Sequence, residues 1–466
     1  MTTSIRLDVS NFMAEAVGPE HGVTPEELAE LERETPRAHE ALDQARAAGG
    51  LGFMDMPARE RDVESVRALV AGRENGFQNV VVLGIGGSAL GAIAVETAVR
   101  PLLSPMLDSE GRGGRPRLFV MDNIDPDWIG ETLDHLDPKE TLVNVISKSG
   151  GTAETAAQYL VVRDWLERGV GDSFRDHLVI TTDAEKGTLR TICNEEKIAS
   201  LVVPDGVGGR FSVLTPVGLF PLALAGVDIE RLVEGAGAMA QTCLTPGLME
   251  NPAYLHGGLL HRLDRSKQKS IHVLMPYAQT LRDLADWFRQ LWAESLGKRV
   301  DREGNVVHVG PTPVNALGAT DQHSQLQLYA EGPFDKAITF LQVESFRRDV
   351  PIPDAYPDVE GFAYLGGRTL GELLEAERKG TTVALTEAGR PNSTLSFPHV
   401  DEHTVGQFLM LMEVQTAFAG ELYNIDAFDQ PGVEASKVAA YALLGRPGYE
   451  ERHREIQAFL ERTTKR

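Results

Sequence analysis

Between Asn79 and Val203, five short apolar runs alternate with mostly helical stretches: Val80-Val81-Val82-Leu83, Leu118-Phe119-Val120, Leu142 to Ile146, Leu178-Val179-Ile180 and Leu201-Val202-Val203. Near-continuous apolar runs are strands buried on both faces, and this rhythm of strand and helix specifies an α/β, doubly wound parallel sheet. A second alternation follows. Ile271 to Met275 reads as a strand, and from Thr280 to Leu296 a helix carries Leu281, Leu284, Phe288 and Leu291 on one face until Gly297 stops it. Later strands are expected at Ala337 to Val343 and Thr382 to Leu385, with a mostly helical tail from Thr404. Residues 1–75 read as helical: Thr24-Pro25-Glu26-Glu27 supplies an N-cap, a first-turn proline and acidic residues, and a second helix from Glu60 to Ala71 aligns Val63, Val66 and Val70. A chain of 466 residues exceeds one typical core. The expected division is an N-terminal helical segment, 1–75, packing on the larger domain, a first domain, 76–226, and a second domain with its helical tail, 227–466.

The turns after these strands carry the chemistry. Ser147-Lys148-Ser149-Gly150-Gly151-Thr152-Ala153-Glu154-Thr155 follows a strand and opens a helix. Glycines let backbone N–H groups approach a ligand, and Ser147, Ser149, Thr152 and Thr155 add hydroxyls where a helix start is electropositive. The stretch reads as a cradle for a small phosphomonoester, with a Ser/Thr-rich helix cap as the plain alternative; it lacks the Gly-Lys-Ser/Thr ending of a nucleotide P-loop. Gly84-Ile85-Gly86-Gly87-Ser88-Ala89 fits a relaxed dinucleotide fingerprint or a tight strand-to-helix turn. Asp122 stands 38 residues past Gly84, whereas a ribose-binding acid is expected after about 20. Asp205-Gly206-Val207-Gly208-Gly209-Arg210-Phe211-Ser212 aims one arginine from a glycine-dense loop at the carboxyl end of the sheet.

A net charge of −23 argues against nucleic-acid or acidic-membrane partners, and any phosphate site must be locally positive. Cys193 and Cys243 are too few for a disulfide framework, and the longest apolar stretch, Leu214 to Val227, is broken by Pro216 and Pro221. A cytoplasmic protein that spans no membrane is expected.

On local grounds Gln290 and Glu294 share a helix face opposite the apolar stripe, with Lys298 as an ordinary i,i+4 surface partner for Glu294. His323 is a loop histidine and Lys437 a lone lysine. Taken together and in order, however, Gly84–Ser88, Ser147–Thr155, Asp205–Ser212, Glu294–Lys298, Gly318–Ser324 and Phe428–Lys437 resemble the glucose-6-phosphate isomerase family. The resemblance implies two sugar-isomerase (SIS-type) parallel-sheet domains flanked by helices, with the sugar phosphate between them and a homodimer whose subunits share active sites. It implies no metal and no cofactor. Position by position, Glu294 resembles the base that moves a proton between C2 and C1, Arg210 the group that stabilises the enediolate, and His323 with Lys437 the groups that open the ring. Ser147, Lys148, Ser149, Thr152 and Thr155 match the phosphate loop, and Gly87, Ser88, Gln290 and Gln430 match further substrate contacts. The chain departs from the family at Asp426, usually asparagine, and carries Leu296 where long-chain members have asparagine. The residue types suit an aldose–ketose isomerisation: a carboxylate to carry a proton, an arginine that stays charged, and a histidine titrating near neutrality. A sugar-phosphate sensor without catalysis and a nicotinamide dehydrogenase are the alternatives from other classes.

Overall fold

The computed structural model describes residues 4–463. In chain order its strands are β1 (Arg6–Asp8), β2 (Asn79–Leu83), β3 (Arg117–Met121), β4 (Thr141–Ser147), β5 (Leu178–Thr182), β6 (Ala199–Val202), β7 (Ile271–Pro276), β8 (Lys298–Val300), β9 (Val306–Val309), β10 (Thr312–Asn315), β11 (Lys336–Val343) and β12 (Asn392–Phe397). Strands β2 to β6 form one parallel sheet in the order β3-β2-β4-β5-β6. Every residue of β2, β4 and β5 is buried, as in a sheet covered by helices on both faces. The winding direction reverses between β2 and β4, and ligands of open parallel sheets bind outside the carboxyl ends of strands at such a switch point. The two loops leaving there are the Gly84–Ala89 turn and the Ser147–Thr152 turn.

The second sheet has the order β1-β12-β11-β7-β10. Its strands β7, β10, β11 and β12 are parallel and repeat the winding of the first sheet, reversing between β7 and β11. The expectation of a purely helical N-terminus is corrected by β1, which adds to β12 antiparallel, Leu7 opposite Leu395. Three residues are too few to show a strand period, and the pairing partner lies in a distant part of the chain. The expected strand at Thr382–Leu385 is also corrected: these residues belong to the helix Leu370–Glu387, opened by a capping box between Thr369 and Glu372. Their β-branched composition is overridden because Arg378, Thr381 and Leu385 fall on one helical face and are buried there.

The other expected helices form. Thr24 and Glu27 cap the helix Pro25–Ala47 reciprocally, with the Thr24 N–H donating to Glu27 at 2.9 Å. In Glu60–Val70, Val66 and Val70 are buried. The helix Glu402–Leu422 is the centre of the core, buried from Thr404 to Gly420 and packed against the helices Ile229–Cys243, Pro252–Lys267, Arg282–Leu296 and Pro25–Ala47. Its approach to Ile229–Cys243 depends on two glycines. A Cβ on Gly406 would lie 2.0 Å from the Leu232 carbonyl, and one on Gly235 would lie 1.9 Å from that of His403. Each fully buried Leu or Phe along such contacts contributes about 1.5–3 kcal/mol. Among the described residues no helix is long and apolar enough to cross a membrane.

Candidate active site

Hydroxyls gather at the start of the helix Ala153–Val170. Ser147 Oγ lies 3.2 Å and Ser149 Oγ 3.5 Å from Thr152 Oγ1, and Thr155 is buried in the first turn. Thr152 occupies the N-cap position, yet its side chain caps none of its own helix N–H groups. The plain helix-cap reading therefore loses its main support, and the first-turn amides remain available to an anion. Lys148 is placed differently from its neighbours: its amine donates to the carbonyls of Pro204 (3.2 Å) and Val207 (2.9 Å). It ties the hydroxyl loop to the loop that delivers Arg210.

That loop meets the first glycine turn backbone to backbone, since a Cβ on Gly87 would stand 2.2 Å from the Gly209 carbonyl. Ser212 Oγ donates to Gly209 O at 2.6 Å and Gly87 O at 3.3 Å, and fixes the junction. Ser88 follows Gly87 in the same short turn, Gly86–Ser88. From the junction Arg210 enters a cage and is 5% exposed. Its Nε donates to Ser295 Oγ (2.7 Å), Nη1 to Gln430 Oε1 (3.0 Å), and Nη2 to the carbonyls of Ala427 (2.7 Å) and Asp429 (3.1 Å). Phe211, Phe53 and Phe428 cluster with tilted rings, the Phe53 and Phe211 centroids 4.8 Å apart, and the Arg210 guanidinium lies 5.6 Å from the centre of the Phe211 ring. Burial pushes the Arg210 pKa down and the Glu294, Asp429 and Asp426 carboxylates push it up; a guanidinium stays charged under either influence.

Glu294 and Gln290 sit one turn apart on the helix Arg282–Leu296, which packs against the helix Leu90–Val99 that follows the first glycine turn. Thr97 Oγ1 donates to Asp283 at 2.6 Å and locks the two helices in register. Glu294 Oε1 is 3.5 Å from Arg210 Nη1, and Glu294 Oε2 accepts from Gln290 Nε2 at 3.0 Å. Gln290 Oε1 is buried without a partner, an acceptor left for something else in the cleft. Among the described residues, no three His, Cys, Asp or Glu side chains gather as a metal-binding group.

The family model for phosphoglucose isomerase matches residues 63–458. The chain belongs to the phosphoglucose isomerase family. It is 48% identical over 417 residues to a glucose-6-phosphate isomerase of Carboxydothermus hydrogenoformans, covering 89% of each chain. It is 45% identical over 433 residues to the glucose-6-phosphate isomerase of Rubrobacter xylanophilus, covering 92% of this chain and 96% of that one. Among solved structures, a hypothetical protein of Thermus thermophilus matches with a TM-score of 0.82 at 40% identity, over 95% of this chain and 100% of that one. A glucose-6-phosphate isomerase of Chlamydia trachomatis matches with a TM-score of 0.73 at 25% identity, over 85% and 76%. The expected α/β fold of paired parallel sheets is therefore that of the phosphoglucose isomerase family.

Two of the residues singled out from the sequence stand apart from the Arg210 cage. His323 lies in the short turn Thr320–His323, exposed, and makes no hydrogen bond or ion pair with Arg210, Glu294 or Lys437. Lys437 is half exposed on the helix Glu434–Leu443 and pairs with Glu434 at 2.8 Å. That hydrogen bond raises the Lys437 pKa, with the Glu434 charge, Tyr441 and the Glu294 carboxylate adding to the effect against desolvation. The family departure at Asp426 is conservative in place, because Asp426 Oδ1 accepts the Phe428 N–H at 2.9 Å, as an asparagine oxygen does. Leu296 is simply core. Sequence reasoning passed over Ser295 and the carbonyls of Ala427 and Asp429, which have no residue-type signal, and it misassigned Lys298. The Lys298 amine does not pair with the Glu294 carboxylate; it donates to the backbone carbonyls of Glu294, Ser295 and Asp429.

Proposed function

We propose that the protein is a cytoplasmic, cofactor-independent isomerase interconverting D-glucose 6-phosphate and D-fructose 6-phosphate. The observation that carries this reading is a carboxylate, Glu294, held 3.5 Å from a buried arginine whose other partners are all neutral. The open-chain aldose binds with its phosphate on Ser147, Ser149, Thr152, Thr155 and the amides of the loop, including that of Lys148. Glu294 takes the proton from C2 and returns it to C1, while the hydroxyl proton passes between the oxygens on C2 and C1. The enediolate formed between these steps carries its negative charge beside Arg210. Gly87, Ser88, Gln290 and Gln430 hold the sugar, the unpartnered Gln290 oxygen accepting from a hydroxyl. Lys437 and His323 handle the proton traffic of ring opening. The exposure of His323 supports a homodimer in which this loop completes the neighbouring subunit's site. The proposed division is 76–226, built on the first sheet, and 227–466, built on the second, with 1–75 packing on the larger domain and lending β1 to the second sheet.

The test is a coupled assay with glucose 6-phosphate, fructose 6-phosphate and mannose 6-phosphate, run after exhaustive chelation. Wild-type protein is expected to interconvert the first two. Glu294→Gln is expected to lower kcat by roughly 10²- to 10⁴-fold with little change in KM. Full loss of wild-type activity on chelation, restored by a divalent ion, or near-normal kcat in Glu294→Gln, would falsify the mechanism.

A further inference from the structure

Lys298 opens β8 directly after the helix that carries Gln290 and Glu294. A helix end leaves its last carbonyls without intrahelical donors, and the common remedy is a left-handed residue that folds the chain's own N–H groups back over them. Gly297 has φ −71° and does not make that turn; its N–H reaches only the Ala293 carbonyl. The Lys298 amine supplies the missing donors instead. It donates to Glu294 O, Ser295 O and Asp429 O, each at 2.9 Å, with Asp429 Oδ1 a further 3.4 Å contact. Three protons meet three carbonyls, and the residue is 8% exposed, so no donor is left for a ligand. The third carbonyl matters most. Asp429 O also accepts from Arg210 Nη2, and Ala427 O and Gln430 Oε1 in the same strap accept from Arg210 as well.

We propose that Lys298 is a positioning residue that sets the separation of Glu294 and Arg210 by holding the last turn of the Glu294 helix and the Ala427–Gln430 strap on one amine. Without the amine, the Glu294 and Ser295 carbonyls lose this donor and the strap's polar side is left to Arg210, which is then drawn with the strap instead of being braced by it. Arginine is no substitute. Its planar fork spreads its donors, whereas the three carbonyls converge on one nitrogen.

This inference rests on the isomerase reading, and the experiment separates the two. Lys298→Ala in the full chain is expected to lose about 10²-fold in kcat, the scale of an ångström-sized misplacement, with KM changed less than about threefold because the amine does not reach substrate. Propylammonium replaces the missing side-chain atoms and is expected to restore kcat saturably, whereas tetramethylammonium, which has no N–H, is not. A helix-capping role confined to stability leaves kcat of the folded variant at the wild-type value and overturns the proposal. So does an equal rise in KM, or rescue by both ammonium ions or by neither. Should Lys298→Ala lack a cooperative melt, Lys298→Arg carries the test: a kcat lowered at least about fivefold at constant KM supports the proposal, and a wild-type kcat overturns it. Inactive wild-type protein would refute the isomerase reading itself.

Discussion

Replacing Gly87 by alanine drives a methyl group into the junction of two glycine loops. The new Cβ would stand 2.2 Å from both the carbonyl carbon and oxygen of Gly209 and 2.6 Å from the Arg210 nitrogen, where ordinary contact begins at 3.4 Å. Neither neighbour is the end of a flexible side chain, so the arginine loop must back away by at least about 1 Å, and a displacement of that size at a reacting centre costs on the order of 10²-fold in rate. Gly87 has no positive φ, so backbone strain adds nothing to that contact. Overpacking of this kind also costs about 1–3 kcal/mol of stability, a loss a protein of this size tolerates at 25 °C. Gly209→Ala is the matched control: it lies on the same loop beside Arg210, and a Cβ there meets nothing within 4 Å. In the coupled assay with fructose 6-phosphate, Gly87→Ala is expected to lose about 10²-fold in kcat, and Gly209→Ala to stay within about threefold of wild type. Equal kcat in the two variants, with both folded by circular dichroism, would refute the idea that this junction aims Arg210.

Refolding Glu294→Gln together with His323→Ala tests whether sites are shared. With random pairing half the dimers are hybrid and each hybrid has one intact site, so activity should recover to roughly a quarter of wild type, and confirmed hybrids without recovery would place His323 in its own chain's site. Stability at high pH is expected to hinge on Glu413, which is fully buried in the central helix with neither carboxylate oxygen partnered, so that desolvation raises its pKa well above the ordinary value. Above the unfolded value of about 4.3 the unfolded chain ionises and the folded one does not, so this group lowers stability by up to about 1.4 kcal/mol per pH unit until the folded pKa is reached. Glu413→Gln should therefore raise the melting temperature more at pH 8 than at pH 5; an equal shift at both would show that burial of charge is not the cause.

The sheets were legible because strands covered on both faces, such as β2 and β5, admit few polar positions, and because each glycine-rich turn falls where a strand gives way to a helix. What failed was decided at long range. The strand β1 exists through β12, on which its three residues lean, and the Thr382–Leu385 segment is helical because Thr381 and Leu385 are needed on one buried face. In the site, Arg210 was legible from the glycines that aim it, but its cage was not, since three of its four acceptor residues lie in the Ala427–Gln430 strap and two of those offer only backbone. Lys298 shows the limit of a spacing rule. Four residues after Glu294 on an unbroken helix it would face the carboxylate, but the helix ends at Leu296 and the amine turns back onto carbonyls.

The neutrality of that cage bears on how one arginine can serve a reaction that creates and removes an anion. In the proposed mechanism, a close ion pair between Arg210 and Glu294 would hold the base in its charged form and take the one N–H that the four cage bonds leave over. Arg210 is instead satisfied by a hydroxyl, a side-chain amide oxygen and two carbonyls, and it meets Glu294 only at 3.5 Å. Gln290, not the arginine, donates to the carboxylate at 3.0 Å. In the proposed mechanism Glu294 becomes neutral on taking the C2 proton as the sugar oxygen becomes negative, so one negative charge moves from the carboxylate to the substrate while Arg210 stays where it is. The charge beside the guanidinium is the same before and after the step. Little of the surrounding structure then has to reorganise, and a fixed cation in a dry cage is most effective under that condition. On this argument Ser295, Gln430 and the strap carbonyls matter for being uncharged: an acidic side chain in any of their places would hold the arginine just as well and leave it less able to stabilise the enediolate.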